Sequence, residues 1–128
     1  KAIDSIPAYV ARSRFFLVLV PTVPNSSEGK VFGPSSWAAR GWCRFETTMR
    51  ALSLNRTYIL IKSAFYAEVV GYQLGAFGAG PVSQGMFTVP ADRAKLAPVL
   101  RMTFKCSLLR TLRMRDVGRY RTLLNSQN

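Results

Sequence analysis

The side chains able to do chemistry gather between Ser35 and Leu54, in the run SSWAARGWCRFETTMRALSL. From Trp42 onward the apolar residues Trp42, Phe45, Met49 and Leu52 return every three or four positions, the period of one helix face. Glu46 sits about 100° round from Phe45, with Cys43 one turn before it and Arg50 one turn after. A carboxylate at the rim of an apolar stripe has two readings. It can pair with Arg50 at i,i+4 on the surface, for roughly 0.2–0.5 kcal/mol, or it can be a half-desolvated acid that works on a ligand. Cys43 reads as a small buried hydrophobe, or as a thiol whose anion is favoured by Arg44 and a helix start. The chain contains no histidine. That excludes His-based triads, imidazole bases and imidazole metal sites, and it leaves Cys43 without the partner a nucleophile needs.

The elements that must hold these groups can be read on either side. Ala2 to Arg12 has helical spacing in Ile3, Ile6, Tyr9 and Val10, with Pro7 an obstacle worth about 3 kcal/mol in a helix interior. The helix proper is therefore expected to begin near Ser5 or Ile6, with Ser5 as its cap and Pro7 in its first turn. Phe15 to Val20 is a continuous apolar run, as in a central parallel strand buried on both faces, and Pro21 ends it. Thr22 to Pro34 reads as a loop, placed after the carboxyl end of a strand where open α/β sheets hold ligands. The helix bearing Trp42 and Glu46 is expected to end around Leu54 and Asn55, followed by a second strand at Thr57–Ile61. Strand, helix and strand in this order predict two parallel neighbours joined by a right-handed crossover. Trp42, Phe45 and Met49 are then expected to face the sheet.

Residues 71–90 form a glycine-rich connection, with five of the nine glycines between Gly71 and Gly85. Residues 91–128 read as a basic helical part. Leu96, Leu100, Phe104, Leu108 and Leu112 are spaced by four, Pro98 should kink or divide the helix, and Arg119 to Leu124 form a short amphipathic tail.

With 128 residues, the chain suits one domain and no more. Hydrophobic content of 48% is that of a folded protein. The longest apolar run, Phe15 to Val20, falls far short of the roughly 18 residues of a membrane span, and no signal peptide is visible. Two cysteines, Cys43 and Cys106, make neither a zinc pattern nor a disulfide framework, so a cytoplasmic setting is the expectation. Lys1 stands where an initiator Met would be, as in a fragment. The net charge of +12, with six acidic residues in all, implies polyanionic partners. Arg93, Arg101, Lys105, Arg110, Arg113 and Arg115 are the candidate contacts to nucleic acid or to an acidic membrane. Few aromatics lie among them, which disfavours stacking on single strands.

A helix (IDSIPAYVARS), an apolar strand (FFLVLVP), a polar loop and then W-C-x-x-E on the next helix resemble the middle of a TIR domain. The matching positions are Ser13, Phe15 to Val20, Ser36, Trp42, Cys43 and Glu46, and Tyr58 to Tyr66 resembles the family's next strand. The resemblance covers residues 1–68. It implies an α/β, flavodoxin-like (TIR-like) parallel sheet flanked by helices and incomplete at its N-terminus. It also implies a signalling module that associates with itself or with other TIR-like domains. Enzymes of the family split the N-glycosidic bond of NAD. By that resemblance Glu46 would be the catalytic carboxylate, Trp42, Cys43 and Ser36 would border the NAD substrate, and no cofactor or metal would be required. A non-catalytic interaction domain and a basic nucleic-acid or membrane binder are the alternatives.

Overall fold

A computed structural model describes residues 2–25, 27, 29–71 and 80–126. The expected glycine-rich connection lies outside the described residues from 72 to 79. The chain runs through helix α1 (Ala2–Arg12), strands β1 (Leu17–Leu19), β2 (Val23–Asn25) and β3 (Lys30–Phe32), and helices α2 (Pro34–Ala39) and α3 (Gly41–Leu52). Strands β4 (Thr57–Ser63) and β5 (Tyr66–Gly71) follow, then α4 (Ala91–Arg113) and α5 (Val117–Asn125). The protein is thus mixed α/β, with a small mixed sheet.

That sheet has the order β1-β4-β5. The two strands expected to run in parallel do so, with Leu17 beside Ile59 and Leu19 beside Ile61. The third strand does not continue a parallel sheet. β5 is antiparallel to β4, placing Val69 beside Ile59 and Ala67 beside Ile61. The two-residue turn at Ala64 and Phe65 contains no glycine or asparagine, so the usual hairpin signal is missing. The segment expected to be loop from Thr22 to Pro34 contains the antiparallel pair β2–β3. Pro34 then occupies the first turn of α2, where its missing N–H is harmless.

Two buried clusters divide the interior. Val18, Val20, Tyr58 and Leu60 form the inner face of the sheet, with Phe16, Trp37 and Val70 packed against them. Val10, Phe45, Met49, Leu52, Val82, Leu96, Val99 and Leu123 form the second, with Trp42 packed against it. The Trp42–Phe45–Met49 stripe therefore faces α1, α4 and α5 rather than the sheet. Trp42 is nevertheless half-buried, edge-on to Phe45 at 6.2 Å. The run Phe15 to Val20 is not buried on both faces either. Its odd-numbered residues point outward, leaving Leu17 53% and Leu19 64% exposed.

Proline shapes two helices less than its chemistry suggests. α1 starts at Ala2 and carries Pro7 in its interior, while the Ser5 hydroxyl donates to the carbonyl of Ala2 instead of capping. Burial of Val10 with Ile3 and Ile6 against the helical cluster offsets the lost backbone bond. α4 runs undivided through Pro98. Its leucines at intervals of four drift about 40° per step on a helix of 3.6 residues per turn. The drift takes the stripe from buried Leu96 to exposed Leu112.

Candidate functional site

α3 is the central helix, and its start is set by a backbone seam. Between α2 and α3, Arg40 is extended and breaks the helical run in two. The segment around Met86 crosses here. The Gly41 amide donates to the Met86 carbonyl at 2.7 Å, and the Met86 amide donates to the Ala39 carbonyl at 2.8 Å. Gly41 lies against the Phe87 ring so closely that a β-carbon would sit 2.1 Å from it. Arg44 clamps the seam by donating to the carbonyls of Ala38 at 2.7 Å and Pro81 at 3.1 Å.

Beyond the seam, the predicted site residues separate. Ser36 belongs to α2, where its hydroxyl is engaged with the amide and carbonyl of Gly33 at 2.8 and 2.9 Å. The Trp42 indole N–H donates to the Asp92 carboxylate at 3.3 Å, and Asp92 also pairs with Lys95 at 2.8 Å. Lys95 and Trp42 together hold the Asp92 carboxyl below its ordinary range, Lys95 having the larger effect. Cys43 is buried, and that burial raises its thiol pKa; nearby Arg40 opposes the rise and Glu46 adds to it. Burial thus works against the thiolate at Cys43, and Arg40 only partly offsets it.

Glu46 and Cys43 are close enough to sense each other's charge, with Arg40 beside both. Glu46 is exposed as a residue, yet crowding removes enough water from its carboxyl to raise the pKa, against the pull of Arg40. The expected Glu46–Arg50 pair is not made. Arg50 is only 1% exposed and turns inward. Its guanidinium donates to the carbonyls of Ser13 at 2.8 Å, Thr57 at 2.9 Å, Val10 at 3.1 Å and Arg14 at 3.3 Å, and it lies over the Phe16 ring. Burial lowers the Arg50 pKa. Sequence reasoning misses this role because the partners lie up to 40 residues away; the local signal is no more than an arginine beside the apolar stripe.

Among the described residues no group of three or more metal-binding side chains forms, and no helix is long and apolar enough to cross a membrane. An open groove of about 510 Å³ lies between α1, α3 and α4, lined by Pro7, Ala8, Met49, Val99 and Cys106. None of Ser36, Trp42, Cys43 and Glu46 borders it. Comparison with protein-family models, with curated proteins and with solved structures finds no match.

Proposed function

We propose that the chain is a TIR-like interaction module, in which β1, α3 and β4 form the βαβ unit of that fold, and that it associates with a second copy through its outer sheet face. The supporting observation is the composition of that face. Leu17 and Leu19 of β1, Ile59 and Ile61 of β4, and Ala67 and Val69 of β5 are in register side by side. Val69 is 72% exposed, and none of the six is charged. A parallel strand pair is ordinarily covered on both faces, and a contiguous apolar face of this kind marks an interaction surface. The cations of a +12 chain would repel a second copy, but none of these six positions carries one. Two copies can therefore meet there without burying a charge. Sedimentation equilibrium of the full chain should show a concentration-dependent dimer. Leu17→Gln, Leu19→Gln and Val69→Thr together should leave a folded monomer. A parent that stays monomeric at high concentration removes the proposal.

Glu46 favours a second reading, that of an acid in NAD cleavage. The observation behind it is a carboxylate with raised pKa and no ion pair among the described residues, next to Arg40. Such cleavage passes through an oxocarbenium-like centre that a fixed carboxylate stabilises. Only the ionised form can do this, so activity should fall as pH drops through the raised pKa, above the ordinary glutamate range. The parent for this test is a chain that carries the family's whole domain, and there Glu46→Gln should lower nicotinamide release by about 10²–10³-fold. Release by the parent that persists in this variant would exclude Glu46, and no release by the parent would leave the interaction reading alone.

A further inference from the structure

The outer face of α4 has a composition that neither reading above uses. At about 100° per residue, Arg101, Met102, Lys105, Leu109, Leu112 and Arg113 fall within one arc, and all six are exposed. The helix turns its other side to the core through Leu96, Val99, Ser107 and Thr111. The apolar members are not marginal, since Met102 is 64%, Leu109 56% and Leu112 53% exposed. The surface continues past the helix end through exposed Met114, Arg115 and Val117. The acidic residues at the two ends of α4 are engaged elsewhere: Asp92 pairs with Lys95 and Trp42, and the Asp116 carboxylate caps α5 by accepting from the Arg119 amide at 3.0 Å. Asp4 of α1 lies across the groove that Met102 and Cys106 also line.

We propose that this face docks on an anionic lipid bilayer, with Met102, Leu109 and Leu112 entering the interfacial zone and Arg101, Lys105 and Arg113 meeting lipid phosphates and carboxylates. The proposal is independent of the sheet-face reading. Charge complementarity requires an anionic partner, and the interleaved methionine and leucines select a bilayer over a nucleic acid. A phosphodiester backbone rewards cations and leaves such apolar side chains in water. An interfacial helix face gains from both. The three apolar residues span about 15 Å along the helix axis, a length that lies flat on a membrane surface.

The test is co-sedimentation of the full chain with vesicles of phosphatidylcholine plus phosphatidylserine, against phosphatidylcholine alone. Binding is expected only with phosphatidylserine and should weaken as salt rises. Replacing Arg101, Lys105 and Arg113 by Gln should lower partitioning about 100-fold, at about fivefold per cation. Leu109→Ser with Leu112→Ser should lower it at least tenfold, with an unchanged circular dichroism spectrum in each case. Cys106 is exposed on the adjoining side of α4 while Cys43 is buried. A polarity-sensitive fluorophore on Cys106 should therefore shift to the blue when anionic vesicles bind. Vesicle binding indifferent to the leucine changes, bound protein with no fluorophore shift, or duplex DNA binding without any vesicle partition would overturn the proposal.

Discussion

Arg50 donates to four main-chain carbonyls and, among the described residues, to no carboxylate. Three of these carbonyls, from Val10, Ser13 and Arg14, lie at and just beyond the C-terminal end of α1, where helix carbonyls lack intrahelical donors and the dipole favours a cation. The fourth, from Thr57, opens β4. One planar fork thus ties the first helix, the central helix and the sheet together, a task a single ammonium cannot perform. Arg50→Met should cost about 3 kcal/mol or more, because buried acceptors lose their donor, and Arg50→Lys should recover only part of it; denaturant midpoints measure both. Glu46 behaves in the opposite sense. Its raised pKa means that the folded chain binds more protons than the unfolded one, so stability falls as pH rises through that window. Glu46→Gln should therefore be neutral or stabilising at neutral pH, by no more than about 0.5 kcal/mol for so exposed a group. The gain should close as pH falls toward the ordinary glutamate range, which melting curves at several pH values would show.

Among the elements, α3 is held at both ends by arginines from elsewhere in the fold or from its own first turn. Arg44 and the Gly41 seam fix its start. At its end, Arg119 of α5 donates to the Ser53 carbonyl at 2.6 Å. Burial lowers the Arg119 pKa, and the neighbouring charges of Arg56 and Arg110 lower it further. α4 gives the most direct test at this scale. Pro98 is exposed within an unbroken helix and supplies no backbone donor. Pro98→Ala should restore one hydrogen bond and relieve the ring clash, raising stability by about 1–3 kcal/mol. A lower unfolding midpoint would mean that the proline is needed for packing beside α1.

For the whole molecule, the leading electrostatic effect is uncompensated positive charge. Eighteen Lys and Arg stand against six Asp and Glu. Several of those cations (Arg44, Arg50, Arg93 and Arg119) are turned to carbonyl oxygens, which satisfy hydrogen bonds without cancelling charge. Self-repulsion of this kind destabilises the compact state. Raising salt from low to physiological strength should therefore increase the melting temperature, as screening shortens the range of repulsion to about 8 Å. A melting temperature that falls with added salt would show that attractive pairs such as Lys62–Glu68 outweigh the repulsion.

Residues adjacent in the chain were enough to specify the parallel pairing of β1 with β4, the helix between them and a basic helical stretch from Ala91, but not its undivided passage through Pro98. Each follows from local apolar periodicity. Composition likewise settles that these 128 residues supply no imidazole. What covers each apolar stripe was decided only by the packing of the elements: the Trp42 stripe meets helices, while Leu17, Leu19 and Val69 stay exposed. Periodicity reports that a face is apolar, not which element lies on it. The β5 hairpin was illegible because Ala64 and Phe65 carry no turn signal. So were the partners of Arg50, since Val10 and Arg50 are brought together only when α1 packs on α3. That contact took Arg50 from Glu46, because a guanidinium buried among carbonyls cannot also reach a surface acid.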